Sequence, residues 1–148
     1  MTQIDNRLDT ARLALKFGLG LTAFLAGLDK FFNLLANWEA YLSPLAARVL
    51  PVSPTTFMYA VGIIEMVVGL AILTRFTEIG AYVASVWLVL IALNLVTTGG
   101  YFDIAVRDVV MAIASFTLAR LAEAGVGAEA RDRVGAPGPL GRRETMTA

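Results

Sequence analysis

The residue with the clearest capacity for chemistry is Glu65, a carboxylate at the centre of the apolar run 59–74. A charged group at the centre of a hydrocarbon core costs about 3 kcal/mol on insertion scales, so it is expected to face protein or a wet cavity. Gly62 and Gly69 share its helical stripe and allow a neighbouring helix to approach the face that carries the acid. Two interpretations stay open: an acid that exchanges protons, or a structural glutamate that is protonated or hydrogen-bonded.

Six further side chains are candidates to work with this acid. Lys30 and Asp108 are candidate catalytic residues, because each lies on a stripe of small residues that is expected to face the interior of a helix bundle. The candidate binding residues are Asp29, Trp87, Asn94 and Arg107. Because the chain contains no Cys and no His, imidazole bases, thiol relays, disulfides and the usual zinc, haem and copper sites are excluded. We therefore predict no metal site.

Two of these candidates also have a purely structural interpretation. Asn94 could form a hydrogen bond that joins two helices. Asp103 could cap the helix that begins near it, and Arg107, four residues further on, could pair with that carboxylate.

The charges in this group do not balance. The acids are Asp29, Glu65, Asp103 and Asp108, and the cations are Lys30 and Arg107, so two acids are left without a partner. Unpaired carboxyl groups in a low-dielectric region are expected to stay protonated or to exchange protons. The alternative is an internally neutralised network that only holds helix ends together.

The composition indicates the elements that must position these side chains. Of the 148 residues 57% are hydrophobic and 16% are charged, with a mean hydropathy of +0.70. Soluble domains are about 45–50% apolar and about 25% charged. The chain is therefore predicted to be an integral membrane protein. Its 12 basic and 12 acidic residues cancel, which suggests no nucleic-acid partner.

Four apolar segments predict an all-α fold, an integral membrane four-helix bundle. The segments cover about residues 13–35, 59–74, 79–97 and 103–121. Ser53-Pro54 is typical of a helix start, and Ser43-Pro44 predicts a short interfacial helix between the first two spans that stops before Pro51. An ordinary packed loop is the alternative for this connecting segment.

The predicted organisation has three parts. Residues 1–10 form a polar N-terminal segment, residues 11–124 form the membrane domain, and residues 125–148 lack apolar periodicity and are predicted to be a disordered tail. Basic residues are concentrated near the two termini and in the turn at Arg75, which predicts a multi-pass protein of the cell membrane (a bacterial inner membrane) with both termini cytoplasmic.

Two motifs resemble a known family. Residues 27–32 read GLDKFF, and residues 62–81 read GIIEMVVGLAILTRFTEIGA. Together they are similar to DoxX-type membrane proteins, and the resemblance covers about residues 11–122. It implies a four-helix membrane protein. Some members are subunits of thiosulfate:quinone oxidoreductases, and others associate with redox-stress enzymes. A methylamine-utilisation branch is linked to disulfide formation, which this cysteine-free chain cannot perform itself.

Three functions follow from the residues and the resemblance together, and whether the chain is an enzyme stays open. In the first, the chain is a redox-associated membrane subunit, in which Lys30 and Asp108 bind a quinone head group or an anionic sulfur substrate and Glu65 handles a proton. The second is a non-catalytic accessory subunit that packs against a larger membrane complex. The third is a small transporter, for which the sequence shows no broken helix or inverted repeat. The expected partners are the lipid bilayer and other membrane subunits or further copies of this chain. We expect no cofactor held by this chain's own ligands, and a quinone is the one candidate.

Overall fold

The computed structural model describes residues 3–135, with side chains described over residues 6–125. Five α-helices occur in this part: α1 (Gln3–Asp29), α2 (Pro44–Val49), α3 (Pro54–Leu73), α4 (Thr77–Thr97) and α5 (Phe102–Gly135). A 3-10 turn, Trp38–Tyr41, precedes α2. The described part contains no strand, so the prediction of an all-α fold is confirmed.

The lengths and compositions of three helices suit a membrane. The stretches Asn6–Asp29, Pro54–Leu73 and Thr77–Thr97 are long and apolar enough to cross one. Large apolar side chains remain exposed on the outer faces of all four long helices, among them Leu25, Ile63, Val86 and Ile113. Helix α5 is longer, but its first two turns carry three charged residues, Asp103, Arg107 and Asp108. The chain is therefore a membrane protein, as the composition predicts.

Helix α1 ends six residues before the predicted end of the first span, 35. Its last residue, Asp29, accepts hydrogen bonds from the backbone N–H groups of Leu34 and Leu35 (both 3.0 Å). Asn33 lies at a φ of 52°, in the left-handed region that ends regular helices. The carboxylate therefore holds the following residues in a turn, which apolarity alone does not predict. At its other end α1 begins at Gln3, within the predicted polar N-terminal segment.

Two serines start helices as predicted. The Ser53 hydroxyl accepts from the Thr56 N–H at the start of α3 (3.2 Å), and the Ser43 hydroxyl accepts from the Ala46 N–H at the start of α2 (3.1 Å). In both cases the following proline occupies the first turn, where its missing N–H costs nothing. The prediction of a short helix after residue 43 is therefore confirmed.

Asn94 joins α4 to the connecting segment. Its amide nitrogen donates to the Tyr41 carbonyl (2.7 Å), and its oxygen accepts from the Ser43 N–H (3.1 Å). Its partners lie in the 3-10 turn and at the start of α2, so Asn94 joins helical elements as predicted. Both ends of the Asn94 amide are satisfied, so α2 and the 3-10 turn are held against α4.

Helices α1 and α3 pack with their backbones in close approach. A Cβ atom added at Gly27 would lie 2.5 Å from the Gly62 carbonyl oxygen and 2.8 Å from the Met66 nitrogen, and one added at Gly62 would lie 2.6 Å from the Gly27 oxygen. Seven residues away on each helix, a Cβ at Gly69 would lie 2.7 Å from the Gly20 oxygen. Only glycine fits these crossing points, so the small-residue stripe of α1 is a packing face.

The four long helices form two tight pairs. Helix α1 packs along α3, and α4 packs along α5, whereas α1 and α5 meet over a shorter stretch. That stretch belongs to a core cluster in which Leu15 and Leu19 of α1 pack against the fully buried Leu118 and Ala119 of α5. Toward the end that carries the 3-10 turn and α2, a separate and smaller cluster joins α4 to α5.

The opposite end of the bundle collects basic side chains. Lys16 donates to the Thr74 carbonyl after the end of α3 (2.8 Å). Arg75 follows in the turn to α4. Arg120 pairs with Glu123 (2.5 Å), whose other oxygen accepts from the Tyr82 hydroxyl (2.7 Å). These cations were predicted to lie on one side of the membrane, and the fold places them at one end.

Helix α5 continues past the predicted end of the membrane domain at residue 124. It runs to Gly135, whereas the predicted disordered tail begins at residue 125. Alanine, glutamate and arginine in this stretch favour a helix even where no apolar face is available. The remainder of the predicted tail, residues 136–148, lies outside the described residues.

Candidate functional site

The centre of the candidate site is an ion pair between Lys30 and Glu65. The ammonium nitrogen lies 2.6 Å from one carboxylate oxygen, and the two side chains are 4% and 10% exposed. Lys30 follows directly after the end of α1, while Glu65 lies near the middle of α3. The close crossing at Gly27 and Gly62 brings the two helices near enough for the pair to form.

Trp38 covers the ammonium group on the side of the connecting segment. Lys30 Nζ lies 3.7 Å from the centroid of the Trp38 ring, a cation–π geometry. The indole N–H of Trp38 donates to Asp29 (2.8 Å), which fixes the ring in place. Trp38 is not among the candidate residues that the sequence indicates. No periodicity could reveal it, since the contact depends on the turn that Asp29 caps.

A cavity of about 750 Å³ lies between the two helix pairs and beneath the connecting segment. Six of the seven candidate residues line it, namely Lys30, Glu65, Trp87, Asn94, Arg107 and Asp108. Asp29 is the exception, because its carboxylate serves the turn after α1. The rest of the wall is mainly apolar, and the volume falls within the range of about 300–1,000 Å³ that is usual for small-molecule sites.

The predicted pairing of Arg107 with Asp103 is wrong within the described residues. Asp103 is exposed in the first turn of α5, inside the helix, and not at the cap position. Arg107 Nε lies 4.0 Å from a carboxylate oxygen of its neighbour Asp108, which is buried. The residue at the N-cap position of α5 is Tyr101, whose φ is 58°. The Arg107 side chain is mostly exposed, so its contact with Asp108 is loose.

The charges on the cavity wall balance. Lys30 and Arg107 face Glu65 and Asp108, two cations against two acids. The two acids that the sequence count leaves over are Asp29 and Asp103. The first is used in a turn, and the second is exposed. The predicted surplus of acid is therefore absent from the described cavity wall.

Two buried polar atoms on this wall have no hydrogen-bond partner among the described residues. They are Trp87 Nε1 and Ser115 Oγ. The Trp87 indole N–H lies near the Glu65 carboxylate but makes no hydrogen bond with it within the usual limits of distance and angle. Ser115 is completely buried. The sequence places Ser115 on the inward stripe of Asp108 but gives it no role, and that shared stripe is the signal that could have identified it.

This arrangement can bind a polar head group and exchange protons through carboxyl groups. Over residues 6–125 no three side chains of the metal-ligating types come together. Comparison of the chain with family models, with curated proteins and with solved structures gives no match. The resemblance to DoxX-type proteins therefore stays a prediction from the motifs at residues 27–32 and 62–81, and the functional argument depends on the cavity.

Proposed function

We propose that this chain is a DoxX-type protein with four spans that serves as a membrane subunit of a redox complex and takes a quinone in its cavity. The observation that supports this most is the Lys30–Glu65 ion pair, buried on the wall of a cavity of about 750 Å³ among apolar helices. Ionisable residues within membrane spans are costly and usually mark pathways or binding sites. A purely structural role would require neither the pair nor the space beside it.

The residues present suit a quinone head group. Donors on the cavity wall could bind its oxygens, and Glu65 and Asp108 could hold or release protons beside them. A bound quinone would supply two-electron redox chemistry, with the electrons delivered by a partner subunit. The balanced charge of the wall favours a neutral head group over an anionic sulfur substrate, because an added anion would have no unpaired cation within the wall.

A non-catalytic accessory subunit is the second candidate. In the sequence it is supported by the absence of any cofactor ligand and by glycine-lined helix faces, which could receive a partner. In the structure Gly20, Gly27, Gly62 and Gly69 all pack within the chain, at the contact of α1 with α3. These faces are therefore not available to another protein, and the redox-associated function is favoured.

The test of this function is gentle detergent extraction followed by identification of the copurifying proteins. We expect an oxidoreductase partner and quinone-dependent turnover of the complex. Asp108→Asn should lower that turnover by about 100-fold, the lower end of the usual contribution of a general acid or base. Asp103→Asn is the matched control, since this exposed acid lies on the same helix outside the cavity. Extraction without a redox partner and without any response to quinone would favour the accessory function.

We further propose that both termini are cytoplasmic. Ser53 precedes α3 and Thr98 follows α4, so both lie at the end of the bundle opposite Lys16, Arg75 and Arg120. In this cysteine-free chain, Ser53→Cys and Thr98→Cys should react with an impermeant thiol reagent added to intact cells, and Thr147→Cys should react only after lysis. The reverse labelling pattern would invert the orientation and place the cavity end on the cytoplasmic side.

A further inference from the structure

The Lys30–Glu65 pair largely satisfies itself, so it does not indicate what a ligand would touch. The atoms that lack a partner within the described residues are Trp87 Nε1 and Ser115 Oγ. A buried donor without an acceptor is unfavourable, and such groups are rare in native proteins. Two of them on the wall of one cavity therefore point to something that the cavity receives.

These two donors lie at a similar depth. Trp87 precedes Asn94 by seven residues on α4, and Ser115 follows Asp108 by seven residues on α5. Seven residues are about two helical turns, or about 10 Å. Because the two helices are antiparallel neighbours, both steps lead in the same direction, away from the connecting segment. The donors therefore lie deeper in the cavity than Asn94 and Asp108.

The inner part of the cavity is otherwise apolar. Ala23 of α1, Val68 of α3 and Ala84 of α4 contribute to its wall. Two donors within such surroundings suit a ligand that presents hydrogen-bond acceptors on an apolar body. The charged groups of the whole wall cancel, which favours a ligand without net charge.

Exposed residues of both α1 and α5 are part of the cavity wall. These helices meet where Leu15 and Leu19 pack against the core, nearer the opposite end of the bundle. Thr22, further along α1, and Arg107 of α5 both line the cavity and are exposed. Residues that line a cavity and are also exposed mark its opening. Thr22 lies within a stretch long and apolar enough to span a membrane, so this opening faces the bilayer.

We propose that Trp87 and Ser115 bind the head group of a neutral membrane amphiphile through its carbonyl oxygens, and that this ligand enters from the bilayer between α1 and α5. The site rests on the proposed function for the identity of its natural ligand, a quinone. It assigns the head-group contacts to two uncharged donors, deeper than Asn94 and Asp108, and leaves Lys30 and Glu65 beside the ligand.

The test compares two probes on the purified full-length protein in lipid nanodiscs. Decyl-benzoquinone carries two carbonyl acceptors, and decylbenzene has a six-membered carbon ring and the same chain without them. We expect decyl-benzoquinone to raise the melting temperature of the parent protein and decylbenzene to leave it unchanged. Ser115→Ala and Trp87→Phe should each weaken decyl-benzoquinone binding by about 5- to 10-fold, the effect of one lost hydrogen bond.

A matched control is available on the same helix. Thr117 is exposed to the bilayer side and its hydroxyl donates to the Ile113 carbonyl of its own helix (2.9 Å), so Thr117→Val should bind decyl-benzoquinone like the parent. Without ligand, Ser115→Ala should melt no lower than the parent, because it removes a buried hydroxyl that has no protein partner. If Ser115 stabilised the fold, Ser115→Ala would instead melt below the parent. For the entry route, Thr22→Phe should slow decyl-benzoquinone binding several-fold relative to Leu21→Phe.

Several outcomes would overturn this site: no binding of decyl-benzoquinone to the parent, equal binding of decylbenzene, or unchanged affinity in both donor variants. Equal association rates in Thr22→Phe and Leu21→Phe would overturn the entry route. The proposed function fails separately. If the expected binding pattern is found but no redox partner or quinone turnover exists, the site stands and the redox function does not. If quinone-dependent turnover is found but both donor variants bind decyl-benzoquinone like the parent, the redox function stands and the site does not.

Discussion

Glu65→Gln is expected to destabilise the protein by about 3 kcal/mol or more, one of the two largest effects that the structure predicts. The amide keeps the size of the side chain but removes the charge that neutralises Lys30, whose side chain is only 4% exposed. The cation–π contact with Trp38 offsets only part of this loss. The measurement is the melting temperature and the denaturant dependence of unfolding in a fixed detergent.

The double variant Lys30→Met/Glu65→Gln distinguishes the effect of losing the ion pair from a general intolerance of substitution at this site. Removing both charges leaves no buried ion without a partner, so much of the lost stability should return. Glu123→Gln serves as a control, because the side chains of Arg120 and Glu123 are 62% and 33% exposed, so loss of this charge should change melting little. If Glu65→Gln melts like the parent protein, the pair does not stabilise the fold.

Gly27→Ala should cost about 2 kcal/mol or more, although it adds a single methyl group. The new Cβ atom would lie 2.5 Å from the Gly62 oxygen and 2.8 Å from the Met66 nitrogen, and both of these are backbone atoms that cannot rotate away. The two helices must therefore separate, which is the usual consequence of overfilling a tight contact. Separation would also lengthen the 2.6 Å ion pair, so ligand binding should fall together with stability.

Gly18→Ala is the control for this effect. Gly18 lies on the same helix, and a Cβ atom added there would meet no other atom within 4 Å. Because alanine favours helix more than glycine does, this variant should melt at or slightly above the parent temperature. Equal melting of the Gly27 and Gly18 variants would show that α1 and α3 are less closely packed than described.

The features that the sequence predicts correctly have local causes. The helix starts at Ser43 and Ser53 are encoded by a serine followed by proline, and the structure confirms both. The apolar runs of α3 and α4 predict these helices to within a few residues, because a long uninterrupted apolar stretch has few alternatives to a helix. The stripe of small residues on α1 likewise indicates the face that packs on α3.

The features that the sequence misses depend on contacts between distant residues. The end of α1 is set by Asp29, whose carboxylate serves a turn and not the cavity. The position of Trp38 over Lys30 follows from that turn. The burial of Ser115 without a partner depends on how α5 packs against its neighbours. The spacing of residues along α5 alone does not show this. In the cavity itself, the pairing of Lys30 with Glu65 is one of several alternatives open at the level of sequence, and geometry selects it.

The order of the two ion-pair residues along the chain has a consequence for biogenesis. Lys30 precedes Glu65 by 35 residues, and a chain emerges from the ribosome with its N-terminal part first. We therefore expect α1 to reach the bilayer before α3, with its lysine in place before the glutamate arrives. When α3 packs on α1 at Gly27 and Gly62, the Glu65 carboxylate can lose its hydrating water and pair with the Lys30 ammonium group. Glu65, whose charge is costly to place in lipid, is thus expected to enter the bilayer beside its counterion Lys30.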